Sequence, residues 1–191
     1  LIVEPQVKQW LKPYVGGEEL INGGLRWCLW LKEISPSELK IMPNVLNRLE
    51  NVRKWRLTSA TKSVQEYAEK AYLFTQDRQP KNNYLAIPEV SSESRRFIPI
   101  AFLTENIIAS NKLQIIKEAT LYLFGLLCST FHNSWMRFVA GRLESRYSYA
   151  PSVYNNFPFP TPTDKQIKNI EEKAQAILDA RAEHKTSSLA D

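Results

Sequence analysis

The sequence predicts an α+β fold in which short antiparallel strands pack with helices and the C-terminal part is helical. Short apolar runs separated by polar turns occupy the middle of the chain, and such runs predict strands. They lie at residues 84–90, 96–103, 107–109 and 113–116. Apolar residues then recur at helical spacing between Leu121 and Phe138, which predicts one or two packed helices.

The N-terminal section combines aromatic residues with two glycine turns. Gly16-Gly17 and Asn22-Gly23-Gly24 are turn signals that lie between apolar runs. The run Arg26–Leu31 follows the second turn, and its continuous apolar character predicts a buried strand.

A capping motif predicts where the first long helical region begins. Ser35 can act as the N-cap, Pro36 suits the first helical position and Glu38 completes a capping box. Pro43 should interrupt this helix and start the next, because proline lacks the N–H of a helix interior. The second helix has an apolar stripe that continues to Trp55. Its other face carries Arg48, Arg53, Lys54 and Arg56.

The rest of the chain is assigned by the same patterns. A helix is predicted over residues 62–72, and the polar residues 75–83 form a loop. Residues 153–162 are rich in proline and phenylalanine and form a connector. Asp164–His184 forms a final amphipathic helix.

Composition is that of an ordinary globular protein. The chain has 191 residues, of which 43% are hydrophobic and 24% charged, enough for one domain with an appendage. Its net charge of +5 suits a polyanionic partner, although many proteins without one are equally basic. The residues available for a core include Trp10, Trp27, Trp30, Trp55 and Trp135.

Cysteine and histidine are scarce. Cys28 and Cys128 lie in apolar runs and are interpreted as small buried hydrophobic residues. His132 and His184 stand apart from them, so we expect no metal site. Two cysteines, no signal peptide and no apolar span of membrane length favour a cytoplasmic location and no membrane partner. The start Leu1-Ile2-Val3-Glu4-Pro5 is interpreted as part of a longer polypeptide.

Patterns typical of catalysis are weak. The sequence has no glycine loop of a phosphate-binding type. His132 has serines nearby but lies in an apolar helical run, where a hydrogen-bonded structural histidine is expected. Asn155-Asn156-Phe157-Pro158 lacks the double proline of the Asn-Pro-Pro-Tyr element of amino-methyltransferases and is interpreted as connector. Glu89 and Glu93 flank a turn and are interpreted as solvated acids.

The segment Gly141–Tyr149 has side chains suited to reading DNA. If it is extended, Glu144, Arg146 and Ser148 share one face. The other face then holds Leu143, Ser145, Tyr147 and Tyr149. Arginine pairs with guanine O6 and N7, and glutamate accepts from cytosine N4, so Glu144 and Arg146 could read one C·G pair. The alternative is a solvated strand whose two charges neutralise each other.

Basic side chains elsewhere are candidates for DNA contacts. Arg95, Arg96, Arg137 and Arg142 are predicted to bind phosphates, the alternative being that they are ordinary surface charges. Lys112 follows a turn between two apolar strands and could reach guanine O6 or N7. A lysine that protects a strand edge is the alternative.

Six segments in colinear order carry a resemblance to a known family. They are 13–31, 84–103, 108–112, 119–122, 124–137 and 141–160. Together they resemble the target recognition domain of MmeI-like enzymes. Those enzymes are single-chain bacterial restriction–modification proteins of type IIG or IIL, which join a nuclease, an adenine-N6 methyltransferase and a recognition domain.

The resemblance implies sequence-specific binding of double-stranded DNA for the methyltransferase domain of the same polypeptide. By motif alignment, the Glu144–Arg146 pair resembles readers of a C·G pair, and the Lys112–Ser148 pair resembles readers of guanine at a neighbouring position. S-adenosylmethionine is expected in the methyltransferase part, so this chain is expected to hold no cofactor and to be inactive alone. The implied division is a recognition domain at 1–118, helices and base-reading segment at 119–160, and a C-terminal helix at 161–191.

Three other classes of function remain as alternatives. The Trp-rich N-terminal part and the final helix could dock other domains, which would make the chain a protein–protein interaction module. An RNA-binding domain would need aromatic residues that stack bases, and no RNP-type motif is present. A stand-alone hydrolase is the weakest of the three.

Overall fold

The computed structural model describes residues 4–184 and 186–190. Residues 1–3, Lys185 and Asp191 lie outside the described residues, and with them most of the chain start and two positions of the predicted C-terminal segment. The strands are β1 (Leu11–Val15), β2 (Trp27–Leu29), β3 (Tyr84–Pro88), β4 (Val90–Ser91), β5 (Ala101–Leu103), β6 (Ile108–Ala109), β7 (Leu113–Lys117), β8 (Gly141–Leu143) and β9 (Arg146–Ser148). The α-helices are α1 (Gly17–Asn22), α2 (Pro36–Lys40), α3 (Pro43–Leu57), α4 (Lys62–Gln65), α5 (Leu121–Leu127), α6 (Thr130–Val139), α7 (Pro151–Asn155) and α8 (Asp164–Glu183). Short 3-10 helices occupy Pro5–Trp10 and Ala68–Lys70.

The chain divides into two compact units. The first contains the described residues up to Pro13 together with Trp27–Arg78, and the second contains Tyr14–Arg26 together with the described residues from Gln79 onward. The mixture of helices and small, mostly antiparallel sheets confirms the predicted α+β class, with β1 and β6 forming a parallel pair. Among the described residues, no helix has the length and apolar character needed to cross a membrane.

The first unit confirms the predicted helix boundaries around Pro43. The hydroxyl of Ser35 accepts the backbone N–H of Glu38 at 3.2 Å, and the Glu38 carboxylate accepts that of Ser35 at 3.0 Å. α3 begins at Pro43, and the buried carboxylate of Glu4 accepts the N–H of Asn44 at 2.6 Å. An acidic group at this end satisfies free N–H groups and favours the helix dipole.

The predicted helix over residues 62–72 is wrong in its length. α4 ends at Gln65, and a 3-10 helix follows. Arg56, which the sequence assigned to a solvated face, is buried and needs hydrogen-bond acceptors. Its guanidinium donates to the backbone carbonyls of Tyr67 at 2.8 Å, Lys70 at 3.0 Å and Leu73 at 2.8 Å. The carbonyls of Tyr67 and Lys70 also accept the backbone N–H groups of Lys70 and Leu73, so the segment turns with bonds of the 3-10 type and presents its carbonyls to the guanidinium.

The strand predicted over Arg26–Leu31 is shorter and more open than expected. β2 is an edge strand, and Trp27 on it is 54% exposed. Trp55 is also largely exposed, so neither tryptophan belongs to the core. The core of this unit is made instead by Val7, Leu31, Met42 and Val45.

The second unit is built around β3, which pairs antiparallel with β5 and β7. Leu85 and Ile87 contribute to a core that includes residues of α5, α6 and α8. Tyr84 and Ala86 contribute to a second core with Leu20 of α1. Because both faces are covered, every residue of this strand is buried, which explains its continuous apolar sequence. The strand predicted over 96–103 is reduced to β5.

Helices α5 and α6 confirm the two-helix alternative for residues 121–138, and α8 confirms the final amphipathic helix. Phe131 and Phe138, placed by the sequence on the apolar face, are 54% and 89% exposed. The predicted connector begins within the short helix α7. A small sheet in the order β4-β9-β8 completes the unit and carries the candidate DNA-reading segment.

Candidate nucleic-acid interface

The segment Gly141–Tyr149 forms a β-hairpin, not one extended strand. β8 and β9 pair antiparallel and are joined by Glu144 and Ser145. Glu144 has φ +57°, in the left-handed region. A two-residue hairpin turn needs a positive φ, so the simple alternation predicted through Glu144 is wrong.

The register of the hairpin sets its two faces. Leu143 lies opposite Arg146, and Gly141 lies opposite Ser148. Residues directly opposite in an antiparallel pair share a face, so Leu143 lies with Arg146 and not on the apolar side as predicted. Tyr147 and Tyr149 are buried while Arg146 is exposed, which confirms the predicted alternation within this part of the segment.

One wall of a concave surface in the second unit is formed by this hairpin. The concavity, here named the hairpin groove, has a volume of about 740 Å³. It is also lined by residues of α1 with Gly16 and Arg26, and by Glu89, Val90 and Lys112. Its charged lining residues are Glu18, Glu19, Arg26, Glu89, Arg95, Lys112, Arg142 and Arg146. Five are basic and three acidic, so the lining is positive overall and suits a polyanion.

Glu89 joins the parts of the hairpin groove. Its backbone N–H donates to the Lys112 carbonyl at 2.9 Å, and its carbonyl accepts the N–H of Tyr149 at 2.7 Å. Its carboxylate lies 3.3 Å from Lys112 Nζ. The sequence predicts a solvated acid at Glu89. Its three contacts come from segments distant along the chain, so no local pattern indicates them.

Three of the four predicted base readers line the hairpin groove, namely Lys112, Arg146 and Ser148. Glu144 lies in the turn, and its Oε2 accepts a hydrogen bond from Arg146 Nη2 at 2.7 Å. Both Glu144 and Arg146 are exposed. Exposed ion pairs contribute little to stability. Breaking the pair between Glu144 and Arg146 so that both can contact base edges therefore costs little free energy.

Arg142 holds the hairpin in place. Its guanidinium lies 4.0 Å from the centre of the Tyr147 ring and donates to the Tyr147 hydroxyl at 3.1 Å. It also donates to Glu93 Oε2 at 2.6 Å and to the Ser145 carbonyl at 3.2 Å. These bonds fix the turn that carries Glu144.

The other arginines that were predicted to bind phosphates differ in the contacts they make within the protein. Arg137 donates to the Arg95 carbonyl and contacts the Tyr147 hydroxyl at 3.5 Å. Arg95 donates to the carbonyls of Leu189 at 3.2 Å and Ala190 at 3.3 Å. Arg96 is exposed, and its guanidinium lies 5.3 Å from the Phe97 ring centre.

His132 and Tyr149 anchor the end of the hairpin to α6. His132 is fully buried, with Nδ1 2.9 Å from the Leu127 carbonyl and Nε2 2.9 Å from the Tyr149 hydroxyl. A carbonyl only accepts, so Nδ1 carries the proton and Nε2 accepts from Tyr149. Burial lowers the pKa of His132 to about 4, which keeps the ring neutral. The prediction of a hydrogen-bonded structural histidine is confirmed.

Comparison with known proteins identifies similar sequences. Residues 1–161 match the family model described as the target recognition domain of MmeI. The chain is 36% identical over 180 residues to DNA methyltransferase A of Bacillus subtilis (strain 168). That match covers 94% of this chain and 20% of the relative, so the chain spans only a fifth of that relative's length.

Solved structures show the same architecture. The type IIL restriction–modification enzyme MmeI, in a structure with DNA, superposes with a TM-score of 0.96 at 48% identity, covering 99% of this chain and 25% of that one. The type IIG restriction endonuclease BpuSI superposes with a TM-score of 0.56 at 17% identity, covering 91% and 22% of the two chains. At that identity, the second likeness concerns the fold alone.

Proposed function

The chain belongs to the family of MmeI target recognition domains, and on that premise we propose that its hairpin groove reads base pairs of duplex DNA. Arg146 donates to guanine O6 and N7, and Glu144 accepts from cytosine N4 of the same pair. Lys112 donates to a guanine at a neighbouring position, with Ser148 beside it. The domain thereby selects the sequence on which a larger restriction–modification enzyme acts.

The observation that carries this proposal is the convergence of Lys112, Arg146 and Ser148 on one positive groove. These residues come from a strand-connecting turn and a hairpin that are far apart along the chain. Arg146 and Ser148 project from one face of β9, while the tyrosines beside them are buried. The buried tyrosines hold the strand and leave the polar side chains available to a ligand.

We assign catalysis to other parts of the full-length protein. An adenine methyltransferase domain would use S-adenosylmethionine and flip its target base out of the duplex.

The test is an exchange of the two charges on the hairpin in the full-length protein. Glu144→Lys with Arg146→Asp should reverse the preference at one base pair from C·G to G·C. Each well-made base contact contributes about 1–3 kcal/mol of discrimination, so the reversal should be evident in binding to otherwise identical duplexes. Affinity for unrelated sequences should change little.

A matched control exchanges an ion pair elsewhere. Glu50 and Arg53 on α3 are 3.6 Å apart and partly exposed. Glu50→Lys with Arg53→Asp makes the same charge exchange and should leave base preference unchanged. An unchanged preference in the Glu144/Arg146 variant, despite normal folding, would refute the assignment of these two residues.

A further inference from the structure

One exposed face of α3 has a composition that helix formation does not explain. Asn44, Asn47, Arg48, Asn51 and Trp55 are exposed at spacings that bring them to one side of the helix. We name this set the α3 asparagine face. Asparagine is a poor helix former because its side chain competes for backbone hydrogen bonds. Three asparagines on one exposed face therefore lower helix stability and indicate a role in binding.

The polar side chains of this face do not stabilise the described part of the first unit through hydrogen bonds. Among residues 4–184 and 186–190, the side chains of Asn47, Arg48 and Asn51 make no hydrogen bond or ion pair. The backbone N–H of Asn44 donates to Glu4, and the side chain of Asn44 makes no hydrogen bond with any described residue. With Val52, the face lines a shallow concavity of about 590 Å³. Trp55 lies at one end and is 66% exposed.

The other charged side chains on the surface of α3 form ion pairs, whereas Arg48 forms none with any described residue. Arg53 lies 3.6 Å from Glu50 and 3.0 Å from Glu69, and Lys54 lies 3.8 Å from Glu50. The α3 asparagine face has one guanidinium and no carboxylate. Its side chains therefore offer hydrogen-bond donors and a positive charge, which together complement an anion with several acceptor oxygens.

We propose that the α3 asparagine face binds the sugar–phosphate backbone of duplex DNA, independently of base sequence. This inference rests on the proposed function of the hairpin groove. Arg48 pairs with a phosphate, and the carboxamides of Asn47 and Asn51 donate to phosphate oxygens. The indole of Trp55 packs against the adjoining sugar. Such contacts raise affinity for every sequence and fix the position of the protein on the duplex.

The test compares two arginines on different sides of the same helix. Arg48→Gln and Arg53→Gln remove the same charge, and both are introduced into the full-length protein. Arg48→Gln should weaken binding to specific and unrelated duplexes by a similar factor, about tenfold at low salt. It should also reduce the slope of log affinity against log salt by about one. Arg53→Gln should change neither quantity.

A second variant, Asn51→Asp, keeps the shape of the side chain and adds a negative charge that repels phosphate. It should weaken binding to all duplexes while the circular dichroism spectrum stays that of the wild type. Equal affinities and salt slopes for wild type, Arg48→Gln and Asn51→Asp would overturn the inference, and would leave the groove assignment intact if wild-type protein still discriminates sequences. Failure of the wild type to bind duplex DNA would overturn both proposals.

Discussion

His132 shows how one buried side chain supports a surface that faces solvent. Its ring connects α6 to Tyr149, the residue that follows β9. Removing one partner of a buried hydrogen bond leaves the other unsatisfied, which costs about 1–3 kcal/mol. The position of Arg146 and Ser148 thus depends on a buried anchor.

The low pKa of His132 predicts a loss of stability in mild acid. Its pKa falls from 6.5 to about 4 on folding. Between these values the unfolded chain binds a proton that the folded chain does not, so stability is full above pH 6.5 and falls as pH decreases toward 4. The loss should be about 1.4 kcal/mol per pH unit within that window. It is measured by urea unfolding at pH 7 and pH 5.

The variant that isolates this effect is His132→Gln, which should be less stable than wild type at pH 7 but should lose less stability on acidification. His184→Gln, at an exposed position, serves as the control and should retain the wild-type pH dependence. Identical pH dependence in wild type and His132→Gln would show that His132 titrates normally in the folded protein.

At single residues, the predictions are correct where neighbouring residues determine the environment of a side chain. They are wrong where its contacts come from segments distant along the chain. The buried, hydrogen-bonded state of His132 followed from its apolar helical surroundings. The role of Glu89 did not, because Lys112 and Tyr149 approach it only in the folded chain. The contacts of Arg142 with Glu93 and Tyr147 depend on tertiary structure in the same way.

Among the elements, the sequence predicts the starts of helices best and the connections between elements worst. The Ser35 capping box is complete within four residues, so sequence contains all of it. The hairpin turn was missed because Glu144 and Ser145 are not the Asn-Gly or Gly residues that usually supply a positive φ. The break after Gln65 depends on Arg56, which no local pattern reveals.

The contact between α5 and α8 depends on the absence of a side chain at Gly125. A Cβ there would lie 2.8 Å from Ile170 Cγ2 and 3.0 Å from Ala174 Cβ. Gly125→Ala should therefore destabilise the protein by about 1–3 kcal/mol, despite the better helix propensity of alanine. Urea denaturation measures the change.

Gly141 provides the matched control for this prediction. A Cβ at Gly141 meets no atom within 4 Å, so Gly141→Ala should change stability by no more than about 0.5 kcal/mol. Equal stabilities of the Gly125 and Gly141 variants would show that α5 and α8 do not pack as closely as the structure has them.

At the scale of the whole molecule, the two units carry surfaces of different character. The hairpin groove in the second unit mixes acidic and basic groups, which suits discrimination between base edges. The α3 asparagine face in the first unit has donors without carboxylates, which suits phosphates of any sequence. The net charge of +5 agrees with both surfaces but locates neither, because a net charge carries no information about position.

Methylation interference tests whether Arg146 contacts a guanine from the hairpin groove. A duplex containing the recognition site is methylated sparsely at guanine N7, and bound molecules are separated from free ones. Methylation at the guanine that Arg146 contacts should block binding of the wild-type full-length protein, and this block should disappear with Arg146→Ala, whereas a block at the guanine that Lys112 contacts should remain. The account would be contradicted if the wild type and Arg146→Ala gave the same interference pattern.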